Sequence, residues 1–179
     1  SLFGSKKIYA LNDNMEINID KLEEFLKLYA NNRIFIFGFT YMIYQHFLMK
    51  LKELDIKLDL SNAILIHGGG WKKLENHSVN SNEFRKIIQK FTSINSVHDY
   101  YGMVEQTGSI FMECENGNMH APIHSDIIIR RSNDFSVAEI GERGLIQALS
   151  ILPLSYPGHS LLTEDEGALL GQDDCSCGR

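Results

Sequence analysis

Three segments of the first hundred residues repeat apolar side chains at the spacing of an α-helix. In the first, IDKLEEFLKLYANN, Asp20 is the predicted N-cap. In the third, NSNEFRKIIQKF, Asn80 or Ser81 is the predicted N-cap, and Glu83 stands where a capping box needs it. Each segment therefore predicts an amphipathic helix. The three segments are residues 19–32, 40–54 and 80–91, and the apolar face predicted for the second is Ile43, Phe47, Leu51 and Leu54.

Unbroken apolar runs of strand length lie between these helices. RIFIFGF and AILIHGGG are two of them, and SVHDYY is a shorter third. The order strand, helix, strand, helix, strand predicts an α/β fold, with a mostly parallel sheet and flanking helices.

The pattern changes after Gly108. The runs SIFMEC, SDIIIRRS and GLIQALSILP are short, are separated by Gly, Pro and Asn turns, and show no helical period. They predict a small antiparallel β subdomain. We therefore expect an α/β subdomain at residues 1–108 and a β subdomain at residues 109–179.

Composition narrows the class of protein. The 179 residues are 44% hydrophobic and 22% charged, with a net charge of −6, which is typical of a globular chain and not of a disordered one. The absence of a polybasic run argues against a nucleic-acid surface. The apolar runs are too short to span a bilayer, and the first residues do not resemble a secretory signal. Three cysteines without a secretory signal predict reduced thiols and a cytoplasmic protein.

Unusual residues follow the predicted parallel strands, at the edge where α/β sheets bind ligands. The segments Gly38–Thr40, His67–Trp71 and Tyr100–Gly102 end the three strands. The three glycines in the second segment let a ligand approach bare backbone, although, taken alone, they favour a turn without a ligand. Tyr101 can stack on a base and Glu105 can bind Mg²⁺, but taken alone these residues favour an ordinary strand aromatic and a solvated surface acid.

All the cysteines lie in two short motifs. CENGNMH supplies Cys114 and His120, and CSCG supplies Cys175 and Cys177. Three cysteines and one histidine make the ligand set of a closed structural zinc site, with three buried thiols as the alternative. A role for Cys114 as an acylated nucleophile is disfavoured, because a reactive thiol needs exposure and electropositive neighbours, whereas Cys114 has a glutamate on either side.

Four motifs in order resemble one protein family. They are G-G-W-K at residues 69–72, Y-G-M-V-E at 101–105, L-T-E-D-E-G at 162–167, and the terminal C-S-C-G-R. The sequence from Gly38 to Arg179 resembles the acyl-protein synthetases of the LuxE type, the fatty-acid-activating component of bacterial luminescence systems. Their wider relatives are the phenylacetate–CoA ligases and the adenylate-forming superfamily.

The resemblance implies a reaction with two parts. A long-chain fatty acid or other carboxylate attacks the α-phosphorus of ATP in the presence of Mg²⁺, giving an acyl-adenylate and pyrophosphate. The acyl group then passes to a thiol, which in this family is a protein cysteine, and a partner reductase finally converts the acyl group to an aldehyde.

The resemblance also implies site residues. The loop that lines the adenine matches Gly68, Gly69 and Gly70, and the aromatic that stacks on the adenine matches Tyr101, with Gly102 next to it. The magnesium-binding, catalytic glutamate matches Glu105. The aspartate that accepts hydrogen bonds from both ribose hydroxyls matches Asp165. The segment Gly38–Thr40 resembles part of the acyl channel, and the Cys/His pattern of the predicted zinc site belongs to the resemblance as well.

Two expected parts of the family pattern are absent. The phosphate-binding loop rich in Ser, Thr and Gly is expected before residue 1, and the lysine-bearing C-terminal domain after Arg179. The chain is therefore predicted to be a central fragment that is inactive alone. Two alternatives remain open: a CoA ligase of the phenylacetate type, and a zinc-stabilised α/β binding module that has no affinity for nucleotides.

Overall fold

The computed structural model describes residues 6–70 and 79–178. These residues belong to two compact units, Ser1–Asp99 and Tyr100–Arg179, and the boundary predicted at Gly108 falls inside the second unit. Trp71, Lys72 and Arg179, which belong to the motifs of the resemblance, lie outside the described residues. No helix among the described residues has the length and apolar character that crossing a bilayer requires.

The elements alternate between helix and strand in the first unit and are almost entirely strands in the second. The helices are α1 (Ile19–Leu28), α2 (Thr40–Met42), α3 (Met49–Glu53) and α4 (Ser81–Thr92), with a π-helical segment (Ile43–Leu48) between α2 and α3 and a 3₁₀ turn at Val104–Gln106. The strands are β1 (Ile34–Phe39), β2 (Ala63–Gly68), β3 (Ser96–Tyr101), β4 (Phe111–Glu113), β5 (Met119–His120), β6 (Ser125–Arg130), β7 (Arg143–Ser150) and β8 (Ser160–Ala168).

Side-chain caps determine where two of the helices begin. The Asn80 side chain accepts a hydrogen bond from the Glu83 amide at 2.9 Å, which confirms Asn80 as the cap of α4. The prediction of Asp20 as the cap of α1 was wrong, because Asn18 accepts from the Lys21 amide at 3.0 Å and Asp20 already lies in the first turn. There its carboxylate is close to the positive end of the helix dipole.

The predicted helix at residues 40–54 forms, but its buried face differs from the predicted one. Leu48 and Leu51 are the most buried residues, at 1% and 0% exposed, whereas Leu54 is 46% exposed. The π-helical segment Ile43–Leu48 adds a residue to its turn, so the apolar face shifts along the sequence after it. Placing Leu54 on the buried face was therefore wrong.

Each unit contains a regular arrangement of strands. In the first unit β1 and β2 run parallel from the pair Ile34–Ala63 to the pair Phe39–Gly68, and β3 lies next to β2. In the second unit β6, β7 and β8 form an antiparallel sheet. The predicted class is confirmed: an α/β fold with a mostly parallel sheet and a separate small antiparallel sheet.

One strand pairs differently from its prediction. The run SIFMEC was assigned to the β subdomain, but β4 pairs antiparallel with the end of β3, through Tyr101–Phe111 and Tyr100–Met112, and β5 pairs with β4. Phe111 is the partner of Tyr101 in this pairing, and the first cysteine motif begins three residues after Phe111, at Cys114.

The apolar core is unevenly distributed. Most of the fully buried hydrophobic side chains belong to the first unit, where Leu65 and Ile88 are among the least exposed. In the second unit the buried hydrophobic residues among those described are Phe111, Cys114, Ile129 and Ala148.

Candidate functional site

Two residues with predicted nucleotide-binding roles touch in the second unit. The hydroxyl of Tyr101, at the end of β3, donates a hydrogen bond to Asp165 Oδ2 at 2.8 Å, although the two residues are 64 positions apart. Asp165 lies in β8, where its backbone amide donates to Thr163 Oγ1 at 3.2 Å. The Asp165 side chain is exposed, so its second oxygen is available to a ligand.

The ring of Tyr101 is half-buried, and its centroid lies 5.9 Å from that of Phe111. Burial and, secondly, the hydrogen bond to Asp165 raise the pKa of the Tyr101 hydroxyl to about 12. Both effects disfavour the tyrosinate, which would be desolvated and close to a carboxylate.

The chain has seven tyrosines, and Tyr101 should ionise at a higher pH than an ordinary tyrosine does. Because its pKa is higher in the folded state than the usual 10, its contribution to stability is complete below about pH 10 and is lost as the pH rises towards 12. Absorbance titration should show one tyrosine that ionises late in the wild type and is missing in Tyr101→Phe. Asp165→Asn should lower the pKa of Tyr101. A titration that is unchanged in both variants would contradict the hydrogen bond between Tyr101 and Asp165.

The predicted magnesium ligand lies in a short turn that follows Tyr101. Gly102 leads into the 3₁₀ turn Val104–Gln106, where the Glu105 carboxylate is exposed to solvent. The next side chain, Gln106, is 1% exposed and was not identified from the sequence, because a polar residue in a loop is usually on the surface.

The predicted adenine loop belongs to the first unit. Gly68 is buried at the end of β2, while Gly69 and Gly70 are exposed. Gly69 has a φ of +79°, a backbone conformation that favours glycine. The turn therefore has a conformational reason for a glycine, and its role towards adenine stays a prediction from the resemblance.

A polar cluster lies at the same strand ends in the first unit. The buried His67 places its Nδ1 3.0 Å from Thr40 Oγ1 and 3.6 Å from Asp99 Oδ1. This cluster connects the residue that follows β1 with β2 and β3. The acyl-channel role predicted for Gly38–Thr40 remains a prediction.

The structure brings the four predicted zinc ligands together. The ligand atoms of Cys114, His120, Cys175 and Cys177 all lie within 4.8 Å of one another. Cys114 Sγ is 3.9 Å from Cys175 Sγ, and Cys177 Sγ is 3.4 Å from His120 Nε2. A tetrahedral zinc with ordinary bond lengths separates two sulfurs by roughly 3.8 Å and a sulfur from a nitrogen by roughly 3.6 Å. The observed spacing fits that geometry.

Two asparagines of the CENGNMH motif support Cys175 and were not identified from the sequence. Asn118 Nδ2 donates to Cys175 Sγ at 3.4 Å, and Asn116 Nδ2 donates to Ser176 Oγ at 2.9 Å. Hydrogen bonds to the sulfur, first from Asn118 and then from the Cys177 amide, lower the pKa of the Cys175 thiol to about 6. A thiolate is the form that binds metals.

Comparison with solved structures identifies the fold. An open conformation of 2-hydroxyisobutyryl-CoA ligase, in complex with 2-HIB-AMP and CoA, matches with a TM-score of 0.60 at 16% identity, over 82% of this chain and 31% of that one. ATP-bound MatB from Rhodopseudomonas palustris matches with a TM-score of 0.55 at 13% identity, over 82% and 30%. At these identities the likeness shows the fold alone.

Comparison of sequences identifies the family. A long-chain-fatty-acid–luciferin-component ligase of Aliivibrio fischeri is 26% identical over 164 residues, which are 87% of this chain and 42% of that protein. The chain thus spans less than half the length of this curated relative. The sequence model of the family described as acyl-protein synthetase, LuxE, matches residues 2–179. The chain belongs to the LuxE family of acyl-protein synthetases.

Proposed function

We propose that this protein takes part in the ATP-dependent activation of a long-chain fatty acid or related carboxylate, and in the transfer of its acyl group to a protein thiol. The observation that carries the proposal is the 2.8 Å hydrogen bond between Tyr101 and Asp165, the residues assigned to the adenine and the ribose. Membership of the LuxE family and the adenylate-forming fold support the same chemistry.

The residues of the second unit fit a nucleotide. Tyr101 occupies one oxygen of the Asp165 carboxylate, and a carboxylate has about four acceptor sites, so ribose hydroxyls can still donate to it. Tyr101 also presents an aromatic ring for stacking. The exposed Glu105 would hold Mg²⁺, which offsets phosphate charge while the acyl oxygen approaches. Gly102 lies between the two residues.

The acyl-accepting thiol is the part of the proposal that rests on the family. The family is described as acyl-protein synthetases, and this favours a protein cysteine over CoA. An acyl reductase is the partner that would consume the acyl-protein. Formation of an acyl-protein by the full-length protein, without added CoA, is the result expected, whereas acyl-CoA formation would favour the CoA ligase alternative.

Adenylation by this chain alone is proposed to be at background. The chain covers 42% of its curated relative, so most of the residues of a complete enzyme of that kind are outside the match. Robust ATP–pyrophosphate exchange by the isolated 179 residues would overturn this part of the proposal.

Exchange of the full-length protein tests the nucleotide site. Asp165→Asn keeps the shape of the side chain but removes the charge that accepts two ribose hydroxyls, so exchange should fall by roughly tenfold or more, given that a hydrogen bond to a charged group contributes about 1.5–3 kcal/mol. Glu164→Gln, at the neighbouring exposed carboxylate of β8, is the matched control and should retain exchange. Equal activity of the two variants would count against the site, and wild-type protein with no nucleotide affinity would favour a binding module without chemistry.

We propose zinc for the Cys/His cluster. Four ligands of zinc-binding type converge within 4.8 Å, and Cys114 is only 2% exposed, as expected of a closed structural site. Zinc ligation requires reduced cysteines, so the proposed site goes with a reducing compartment such as the cytoplasm. Metal analysis of protein purified without chelators should find one zinc per chain.

A further inference from the structure

Gln106 is a buried polar side chain beside the exposed Glu105. It is 1% exposed, and its Nε2 donates to the Ala148 carbonyl at 3.2 Å and to the Gly158 carbonyl at 2.9 Å. Ala148 belongs to β7, and Gly158 to the connection between β7 and β8. One amide group therefore joins the Val104–Gln106 turn to two other segments of the second unit.

The two carbonyls determine the orientation of this amide. A backbone carbonyl only accepts hydrogen bonds, so the NH₂ end of Gln106 must face Ala148 and Gly158. Its Oε1 is consequently left without a hydrogen-bond partner among the described residues. Unpaired buried acceptors are rare because they cost free energy, so the orientation of the amide is held by its two donor contacts.

Backbone and hydroxyl contacts continue this attachment after the turn. The Ser109 amide donates to the Gln106 carbonyl at 3.2 Å. The Ser125 hydroxyl, on β6, donates to Ser109 Oγ at 2.8 Å, and Ser109 is 2% exposed. The segment on the C-terminal side of Glu105 is thus bound to the β6–β7–β8 sheet by buried polar contacts, while Glu105 itself faces solvent.

We propose that Gln106 is a positioning residue for the magnesium site. By holding the turn against β7, it presents the neighbouring Glu105 carboxylate in one place instead of leaving it on a mobile loop. The inference rests on the proposed function, since it assumes that Glu105 binds the Mg²⁺ that accompanies ATP. Residues that orient a metal ligand through a second contact typically change metal affinity 10- to 100-fold when they are replaced.

The chemistry of the position explains why glutamine is suited to it. Methionine has a similar volume and length but no donor, so Gln106→Met removes both contacts with little change of packing. Gln106→Asn retains the amide but is one methylene shorter, and it should strain or lose one of the two contacts. The two variants therefore separate the donor from the size of the side chain.

The test is the Mg²⁺ dependence of ATP–pyrophosphate exchange by the full-length protein. Gln106→Met should raise the Mg²⁺ concentration for half-maximal exchange about tenfold, while the KM for ATP at saturating Mg²⁺ stays close to that of the wild type. Thr107→Val is the matched control, because it removes an exposed hydrogen bond from Thr107 to the Val104 carbonyl within the same turn. Its Mg²⁺ requirement should not change.

The outcomes distinguish this inference from the proposed function. A folded Gln106→Met with the Mg²⁺ requirement of the wild type overturns the positioning role, and so does an equal shift in Thr107→Val. If Gln106→Met does not fold, Gln106→Asn carries the test, with a smaller shift in the same direction expected and no shift overturning the inference. Glu105→Gln without any change in Mg²⁺ dependence would instead remove the magnesium site on which the inference rests.

Discussion

Replacement of Cys177 by serine should abolish zinc binding and strongly destabilise the second unit. That unit has few fully buried hydrophobic side chains among its described residues, namely Phe111, Cys114, Ile129 and Ala148. Small cores depend on additional cross-links, and zinc contributes about 10–16 kcal/mol of apparent binding free energy in isolated zinc-finger peptides. Even a fraction of that amount would be comparable to the whole stability of a small domain.

Thermal unfolding with and without a chelator, alongside metal analysis, measures this effect. The wild type should lose zinc and unfold at a lower temperature with the chelator, and Cys177→Ser should behave like the depleted wild type. Ser176 lies between Cys175 and Cys177, so Ser176→Ala is the matched control. It removes only the hydroxyl that accepts a hydrogen bond from Asn116, and the variant should keep its zinc. If the purified wild type contains no metal and its unfolding temperature does not change with the chelator, a structural role for zinc is ruled out.

Glu105→Gln should lower ATP–pyrophosphate exchange of the full-length protein by about 10²-fold or more. The amide keeps the size of the side chain but loses the charge that a hard divalent cation prefers. Metal stabilisation of charge on phosphoryl oxygens contributes several kcal/mol, and each 1.4 kcal/mol corresponds to a factor of ten.

A titration with Mg²⁺ separates this loss from a folding defect. Partial recovery of exchange at high Mg²⁺ is expected for Glu105→Gln, because the site is weakened without being blocked. Glu139→Gln, another exposed carboxylate of the second unit, serves as the control and should match the wild type. Exchange by Glu105→Gln within twofold of the wild type would exclude Glu105 as the metal ligand.

The sequence predicted best those features that depend on local pattern. The strands β1 and β2 and the helix α4 formed as expected, because an unbroken apolar run or a capped amphipathic period specifies an element without reference to distant residues. The Cys/His cluster could also be predicted from the sequence, since all three cysteines of the chain lie in two compact motifs, one of which also contains the histidine.

Features that depend on contacts between residues far apart in the sequence were harder to predict. The resemblance assigned Tyr101 and Asp165 to one site, but their hydrogen bond joins residues 64 positions apart and has no local signature. The burial of Gln106 results from two carbonyls in other segments, so its own neighbours in the sequence give no indication of it. The π-helical segment Ile43–Leu48 changes a helical period that appears regular in the sequence.

The contact between Tyr101 and Asp165 has a consequence for the thermodynamics of nucleotide binding. Ordering a side chain at a binding interface costs roughly 0.5–1.5 kcal/mol of rotamer entropy. Asp165 is already restrained by the Tyr101 hydroxyl, and its backbone amide by Thr163, so this ordering takes place when the protein folds. Calorimetry should therefore find a less favourable entropy of nucleotide binding in Tyr101→Phe than in the wild type, because the freed carboxylate must then be immobilised by the ribose itself.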